Sequence, residues 1–243
     1  MNSNILENKN CLITGATGGL GKEIAVELVK CGCNLFLTSK EENLEKLKLE
    51  IEKIDKEVII EYQFADLRSD DGISMLIKKI RAKFNSIDVL INCAGENHRK
   101  PLSESTMEEY DSCMNLNVRA PFVLAKEFSK DMVKNEWGRI VNIASSGAYN
   151  GLKNTTIYRS SKHALLGLSR SLYNELKEFN VRTFCISPGP IKTEMGKDII
   201  KKENPDEDYE SFMNPTQIAE FITFVINFDN NLISPEIRLG RIK

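Results

Sequence analysis

The chain has 243 residues, of which 41% are hydrophobic, and its 33 basic and 35 acidic side chains give a formal net charge of −2. A chain of this length and apolar content buries a large core, which excludes an intrinsically disordered protein. Its interspersed, nearly balanced charges provide no basic field for a phosphate backbone, so no nucleic-acid partner is expected. The polar first ten residues lack the apolar centre of a signal peptide, and no stretch approaches the roughly 18 apolar residues of a membrane span. We therefore expect a cytoplasmic protein with no membrane partner.

Short apolar runs alternate with longer amphipathic segments along the chain. Continuous apolar runs are typical of strands that helices cover on both faces. The alternation of such strands with helices predicts a doubly wound, mostly parallel, Rossmann-like sheet of about seven strands. No repeat and no break in composition divides the chain, so we expect one domain over residues 1–243. The predicted strands cover residues 11–14, 34–38, 58–63, 89–92, 139–143, 182–187 and 236–239.

A glycine-rich turn, TGATGGLG at residues 14–21, follows the first predicted strand and leads into a helical segment at residues 22–30. Glycines permit a tight turn and the close approach of a pyrophosphate, whose charge is stabilised by free N–H groups and the helix dipole. The context predicts a dinucleotide site. An ordinary turn between a strand and a helix is the alternative, because the spacing differs from G-x-G-x-x-G.

The end of the second predicted strand bears on which dinucleotide is bound. An acidic residue about twenty positions after the glycines would bind a ribose 2′-hydroxyl, whereas Ser39 and Lys40 stand there and suit a 2′-phosphate. The pair favours NADP(H), with NAD(H) possible. The other interpretation is a capping box of Ser39 with Glu42. Asp66, after the third strand, either holds the adenine or caps the next helix.

A predicted helix contains Tyr158 and Lys162, whose spacing places them one turn apart on one face. A neighbouring ammonium favours a phenolate, which suits Tyr158 to act as a general acid or base. Such pairs also occur by chance in many helices, so the neighbouring residues determine whether this pair indicates an active site. Ser145 follows the fifth strand and Asn92 ends the fourth, at the carboxyl edge where open α/β sheets bind ligands. Asn117 lies in a helical segment, where a polar side chain normally points to solvent.

These residues, in this order, resemble the short-chain dehydrogenase/reductase family. The resemblance runs from the glycine-rich turn through NCAG at residues 92–95, then Asn117, Ser145, Tyr158 and Lys162, to SPGPIKT at residues 187–193. It implies an NAD(P)-dependent oxidoreductase, with NADP(H) favoured, that transfers hydride between a nicotinamide and a carbonyl or alcohol substrate. No metal is required.

The resemblance also implies roles for individual residues. Tyr158 would be the general acid or base that protonates the carbonyl oxygen, and Ser145 would hydrogen-bond to that oxygen. Lys162 would support Tyr158 and hold the nicotinamide ribose, while Asn117 would anchor a water of the proton relay. The residues implied to bind the cofactor are Gly15, Thr17, Gly19, Leu20, Gly21, Ser39, Lys40, Asp66, Leu67, Asn92, Ala94, Gly95, Tyr158, Lys162, Pro188, Gly189, Ile191 and Thr193.

Two alternatives to this function remain open. Gly15, Gly18 and Gly21 also fit the spacing of the longer family branch that modifies sugar nucleotides, although only about 50 residues follow Thr193, which favours the short branch. A non-catalytic NADP-binding sensor or scaffold is the alternative from another class. Such proteins have usually lost a catalytic residue, whereas all four are present here.

The remaining expectations concern the substrate, the assembly and the cysteines. Residues 190–214 are charged, show no clear period and are predicted to form a mobile substrate lid. Residues 96–99 and 146–157 are expected to shape the substrate pocket with it. The tail at residues 231–240 departs from the family pattern that often packs at a tetramer axis, which counts against a tetramer. The helices around residues 103–134 and 155–179 are suited to form a dimer, so a homodimer or a homotetramer is expected. The six cysteines lack C-x-x-C spacing, which predicts reduced thiols and no metal site.

Overall fold

The computed structural model describes residues 4–40, 43–203 and 208–241. These residues contain seven strands: β1 Asn10–Thr14, β2 Asn34–Ser39, β3 Ile60–Phe64, β4 Val89–Asn92, β5 Gly138–Ile143, β6 Val181–Pro188 and β7 Glu236–Leu239. All pair in parallel in one sheet of order β3-β2-β1-β4-β5-β6-β7. The predicted sheet is confirmed, with strand ends that differ from the prediction by no more than two residues.

Helices cover both faces of this sheet. They are α1 Gly19–Lys30, α2 Leu44–Ile51, α3 Asp70–Arg81, α4 Met107–Met114, α5 Ala120–Lys134, α6 Thr156–Leu176, α7 Glu194–Glu203 and α8 Pro215–Ile226. A π-helical turn, Asn115–Arg119, joins α4 to α5. Within the part of the chain that the structure describes, no helix has the length and apolar character to cross a membrane.

The alternation of side chains along each strand divides the core into two layers. Ile13 of β1 packs in the layer with α1, α2 and α8, whereas its neighbour Leu12 packs in the layer with α3 and α5. Both side chains are fully buried, and burial of each contributes about 1.5–3 kcal/mol. The continuous apolar runs of the sequence therefore have their cause in a sheet that is covered on both sides. The six cysteines, all within the described residues, are free thiols.

One charged side chain lies inside this core. Arg139, in β5, is fully buried, and its Nη2 donates to Asp229 Oδ1 at 2.7 Å. Its Nε donates to the Ile226 carbonyl at 3.1 Å, and its Nη1 donates to the Gly138 carbonyl at 2.9 Å. Burial, together with the nearby Arg182 guanidinium, lowers the pKa of Arg139 to about 10, against the pull of Asp229. The guanidinium ties β5 to the end of α8.

The segment predicted to be a lid contains a helix that its composition did not indicate. Thr193 caps α7, because its Oγ1 accepts a hydrogen bond from the Gly196 N–H at 3.2 Å. A Cβ on Gly196 would lie 2.2 Å from the Ile191 oxygen, so a glycine permits this close turn. Ile191 and Met213 form a parallel bridge that joins the two ends of the segment. Residues 204–207 lie outside the described residues.

Candidate active site

A cavity of about 880 Å³ opens along the carboxyl edge of the sheet. The glycine-rich turn, the ends of β2, β4, β5 and β6, and the first turns of α6 and α7 line it. Of the residues predicted to carry chemistry or bind a cofactor, all lie on its wall except Asn92 and Asn117. The structure thus brings together segments that are far apart in the chain, from Gly15 to Tyr209.

The glycine-rich turn brings the backbone of β1 close to the end of β4. Gly15 has a φ of +65°, and a Cβ there would lie 2.8 Å from Ala94 Cα. A Cβ on Gly21 would lie 2.2 Å from the Gly15 oxygen, so α1 also needs a glycine at its first turn. Gly18 is the N-cap of α1 and provides no side chain to bond the first N–H groups. The free N–H groups and the open approach fit a pyrophosphate.

The end of β2 has the features expected for a 2′-phosphate site. Ser39 Oγ lies 2.7 Å from Thr17 Oγ1, which fixes the serine against the glycine-rich turn. Lys40 is exposed and borders the cavity. The capping-box interpretation involves Glu42, which lies outside the described residues, and α2 begins only at Leu44.

Asp66 is engaged by an arginine that sequence reasoning did not identify. Arg68 donates from Nε to Asp66 Oδ1 at 2.8 Å and from Nη2 to Oδ2 at 2.5 Å. These hydrogen bonds hold the pKa of Asp66 below its usual range, although partial burial opposes them. The N-cap of α3 is Ser69, whose side chain accepts from the Gly72 N–H at 3.1 Å, so Asp66 does not cap that helix. Both Asp66 and Arg68 line the cavity, as does the buried Leu67.

Tyr158, Lys162 and Ser145 meet at the other end of the cavity. The Lys162 side chain is buried, and its Nζ donates to the Ile143 carbonyl at 2.9 Å and lies 5.8 Å from the centre of the Tyr158 ring. A Cβ placed on Gly147 would lie 3.4 Å from Ser145 Oγ and 3.6 Å from Tyr158 Cε1. Ser145 and Tyr158 therefore flank the same small residue, facing one cavity.

A second tyrosine and lysine with the same spacing lie at the end of this helix, Tyr173 in its last turn and Lys177 as its C-cap, and serve as an internal comparison. Lys177 Nζ lies 5.4 Å from the centre of the Tyr173 ring, so this contact is about as close as that of Lys162 with Tyr158. Lys177 is exposed, however, and the pair borders only a shallow hollow of about 300 Å³. The four-residue spacing alone therefore does not define the site.

Asn117 is buried and lies in the π-helical turn Asn115–Arg119. Its Oδ1 accepts from the Glu96 N–H and its Nδ2 donates to the Glu96 carbonyl, both at 3.0 Å. The same Nδ2 donates to Ser161 Oγ at 2.9 Å. A polar side chain in a helical segment normally points to solvent, whereas Asn117 is buried and hydrogen-bonded. Asn117 holds the backbone that follows Gly95 and does not itself border the cavity.

Asn92 lies beneath the cavity floor. Its Nδ2 donates to Asn142 Oδ1 at 2.8 Å, and Asn142 in turn donates to Ser169 Oγ at 2.9 Å. The side chain is buried and is used to link β4 to β5 and α6. Asn92 therefore contributes to the site through the position of the strand ends.

The thiol that follows Asn92 is a further candidate for chemistry. Cys93 borders the cavity, and burial raises its pKa to about 12, which the Lys162 ammonium opposes only in part. Because a thiolate is the nucleophilic form, this cysteine is not an activated nucleophile near neutral pH.

The remaining walls come from loops that were expected to shape the substrate pocket. Glu96 Oε1 accepts from Ser112 Oγ at 2.5 Å and lies 3.1 Å from His98 Nε2. On the α7 side, Lys192 Nζ pairs with Glu210 at 2.7 Å. Wall residues from the expected pocket segments include Glu96, Arg99, Ser146, Gly147, Leu152, Lys192, Met195 and Tyr209, and those from the predicted nicotinamide side are Pro188, Gly189, Ile191 and Thr193.

Comparison with known proteins agrees with this fold. A family model described as short chain dehydrogenase matches residues 9–204. The chain is 32% identical to 2-dehydro-3-deoxy-D-gluconate 5-dehydrogenase of Dickeya dadantii, over 79% of this chain and 76% of that protein. It is 26% identical to a 3-oxoacyl-acyl-carrier-protein reductase of Aquifex aeolicus, over 96% and 95% of the two chains. The solved structure of L-sorbose reductase from Gluconobacter frateurii, with NADPH and L-sorbose, has a TM-score of 0.83 at 25% identity, over 93% and 92%.

The parallel sheet and the glycine-rich turn define a Rossmann-like fold, and the matching family is one of oxidoreductases. The chain belongs to the short-chain dehydrogenase/reductase family, because the matching family model spans most of its length. The resemblance stated from the sequence is thereby confirmed. So is the prediction of an NAD(P)-dependent enzyme that transfers hydride between a nicotinamide and a carbonyl or alcohol group.

Proposed function

We propose that this protein is an NADP(H)-preferring carbonyl reductase or alcohol dehydrogenase for a small or medium-sized substrate, with Tyr158 as its general acid or base. The observation that carries the proposal is the convergence of Tyr158, Ser145 and Lys162 on the cavity that also contains the glycine-rich turn. A complete set of these side chains supports a catalyst over a sensor or scaffold.

The chain's own groups fit a nicotinamide dinucleotide. The pyrophosphate would lie against the N–H groups at the start of α1, where a Cβ on Gly19 or Gly21 would clash with the protein. Ser39, Lys40 and Arg68 would hold the 2′-phosphate end. The wall formed by residues 188–193 would hold the nicotinamide. When bound, the cofactor supplies or accepts the hydride.

The proton chemistry belongs to the protein. The Tyr158 hydroxyl would donate its proton to the carbonyl oxygen during reduction and take it back during oxidation. Ser145 Oγ accepts from the Gly147 N–H at 3.0 Å, which leaves the serine O–H to donate to the same substrate oxygen. Lys162 uses one N–H on the Ile143 carbonyl and has others to support Tyr158 and a ribose hydroxyl. Asn117 would fix the backbone beside this relay.

We also propose that residues 190–214 cover the substrate end as a lid, since α7 and Tyr209 border the cavity there. Tyr209 Oη donates to the Thr193 carbonyl at 3.5 Å, a weak contact of the kind that opens readily. We further propose a cytoplasmic homodimer or homotetramer, and the low net charge supports an enzyme without a nucleic-acid partner.

The experiment that tests this function measures consumption of NADPH and of NADH by the purified protein. The substrate panel contains ketones, aldehydes, keto-sugars, oxo acids and 3-oxoacyl thioesters. We expect turnover of one class, and Tyr158→Phe should lower kcat by at least the roughly 10²–10⁴-fold typical of general acid catalysis, with cofactor binding retained. Tyr173→Phe, the matched change on the same helix, should have no effect.

Two results would contradict the proposal. If Tyr158→Phe and Tyr173→Phe lowered kcat equally, the effect of Tyr158 would come from folding of the helix and not from proton transfer. Cofactor binding with no turnover of any panel member would favour the sensor.

A further inference from the structure

Glu96 is an acidic side chain on the cavity wall that the proposed reaction does not use. It follows Gly95 and is half-buried. A carboxylate in such a place needs hydrogen-bond donors, because burial without them is costly. Three side chains among the described residues approach it. Ser112 Oγ donates to Oε1 at 2.5 Å, His98 Nε2 lies 3.1 Å from the same oxygen, and Arg68 Nη1 lies 4.0 Å from Oε2.

Ser112 is the partner that joins this carboxylate firmly to another element. It lies in the last turn of α4, and a hydrogen bond from a hydroxyl to a carboxylate is charge-assisted and strong. Arg68 is farther away and is already bonded to Asp66 at 2.5 Å. His98 belongs to the same loop as Glu96, so its contact does not reach another element. The hydrogen bond from Ser112 therefore fixes the loop after β4 to α4.

The segment that follows α4 also holds the backbone of Glu96. Asn117, in the π-helical turn, accepts from the Glu96 N–H and donates to the Glu96 carbonyl, both at 3.0 Å. α4 and the π-helical turn thus hold one residue by its side chain and by both of its backbone groups. Because all three hydrogen bonds end on Glu96, loss of the one from Ser112 should loosen the other two.

The Asn117 amide links this arrangement to the reacting end of the cavity. Its Nδ2 donates to Ser161 Oγ at 2.9 Å, and Ser161 Oγ donates to the Tyr158 carbonyl at 2.7 Å. A Cβ placed on Gly95 would lie 3.3 Å from Asn117 Oδ1 and 3.5 Å from Lys162 Nζ. Gly95 therefore lies close to both the amide and the ammonium.

We infer that Glu96 and Ser112 are positioning residues, whose hydrogen bond holds the loop after β4 and, through Asn117, the groups around Tyr158 and Lys162. Of these two described residues, Glu96 borders the cavity and Ser112 does not. Ser112 can therefore change turnover only through the residues that it holds. This inference rests on the proposed function and adds to it two residues that act through others.

The test is the steady-state kinetics of Ser112→Ala with NADPH and the panel substrate that the unaltered protein reduces. We expect kcat and kcat/KM to fall together by about tenfold, with KM unchanged, because the reacting groups are less well aligned. The expected loss is smaller than the roughly 10²-fold that a misplacement of 1 Å can cause. Rates are expressed per NADPH-binding site, counted by fluorescence titration, so that unfolded protein does not lower them.

Two changes at Glu96 show whether the hydrogen bond is responsible. Glu96→Gln keeps an oxygen that can accept from Ser112, so it should recover part of the kcat that Glu96→Ala loses. Adding Ser112→Ala to Glu96→Ala should change kcat by less than about twofold, because the partner is already absent. The matched control is Ser171→Ala, which removes an exposed hydroxyl of α6 that donates to the Gly167 carbonyl at 3.2 Å. This control should keep the kcat of the unaltered protein.

Hydrogen exchange reports on the same contacts without turnover. The Glu96 N–H donates to Asn117 Oδ1, so it should exchange slowly in the unaltered protein and in Ser171→Ala. It should exchange faster in Ser112→Ala. The measurement is mass spectrometry of a peptide that covers residues 93–99, after exposure of each protein to deuterated buffer.

Several outcomes would overturn the inference. Full kcat in Ser112→Ala, alongside an inactive Tyr158→Phe protein, would leave the reductase intact and refute the positioning role. Losses that add in the double variant, or an equal loss in Glu96→Gln and Glu96→Ala, would mean that this hydrogen bond is not the cause. If the unaltered protein reduces no panel member, hydrogen exchange decides. Faster exchange in Ser112→Ala would support the positioning of the loop and refute the reductase, and unchanged exchange would refute both.

Discussion

Replacement of Lys40 by Gln should weaken the binding of NADPH and leave the binding of NADH nearly unchanged. Lys40 stands next to Ser39, whose hydroxyl is fixed at 2.7 Å from Thr17 Oγ1. Nearby, Arg68 neutralises Asp66 through two hydrogen bonds, so the acidic residue at this edge does not repel a phosphate. A 2′-phosphate would therefore meet a cation, a hydroxyl and a compensated carboxylate.

The magnitude follows from the exposure of Lys40. A hydrogen bond to a charged group contributes about 1.5–3 kcal/mol. Because Lys40 is exposed and screened by solvent, we expect a contribution around and below the lower end of this range, about 1–2 kcal/mol, which is roughly 5–30-fold in Kd. Arg68→Gln should weaken the binding of NADPH more than Lys40→Gln does, because it removes a cation and also leaves the Asp66 carboxylate without its partner beside the phosphate. NADH lacks the 2′-phosphate, so its Kd should change less than about twofold in the Lys40 variant.

The assay is titration of cofactor fluorescence with the purified protein, for NADPH and NADH separately, at low and high salt. Lys46→Gln on the exposed side of α2 removes the same charge away from the cavity wall and is the matched control. The loss of NADPH affinity should shrink as salt is added, because the interaction is exposed. Equal weakening of both cofactors, or a Lys46 variant that behaves like the Lys40 variant, would refute the reasoning.

Two further predictions concern the turn and the core. Gly21→Ala should abolish tight binding of both cofactors, because its Cβ would lie 2.2 Å from a backbone oxygen, whereas Gly151→Ala, with nothing within 4 Å, should bind normally in the same titration. Asp229→Asn should lower the free energy of unfolding by about 1–3 kcal/mol, because it leaves the Arg139 charge buried without its carboxylate. Since the Asp229 side chain is 38% exposed, solvent compensates part of this loss. Urea unfolding should show a clearly smaller effect for Glu50→Gln at the surface, and equal effects would contradict the buried-charge argument.

The fold was predictable because most strands are apolar runs bounded by polar residues, whereas β3 and β7 are mixed. The sheet buries both faces of β1, β2, β4 and β5, so the hydrophobic pattern marks their positions to within a residue or two. α7 was missed for the opposite reason, since it is short and rich in charge. Its one local signal is Thr193, which caps it three residues before Gly196. A cap residue in a charged segment is too common a feature to identify a helix without the structure.

Site residues could be predicted from the sequence when it was enough to know that they follow the end of a strand. They could not be predicted when the direction of the side chain determines whether it reaches the cavity. Ser145 and Tyr158 follow β5 and border the cavity as expected. Asn92 also ends a strand, but its side chain turns under the floor to Asn142, and no sequence pattern distinguishes the two cases. The Asp66–Arg68 contact depends on the path of the loop after β3, which sequence reasoning does not provide.

The two tyrosine–lysine pairs at the two ends of α6 show how the direction of the chain confers function. The pairs have the same spacing and similar ring-to-ammonium distances, and about four turns of helix, or roughly 22 Å, separate them. In a parallel α/β sheet each helix begins beside the carboxyl ends of the strands and ends at the opposite edge. Tyr158 therefore lies where the glycine-rich turn and β5 also end, whereas Tyr173 lies where β6 begins. The proposed reaction requires residues from several strand ends at one place. A tyrosine–lysine pair can meet them only if it lies on the first turns of this helix.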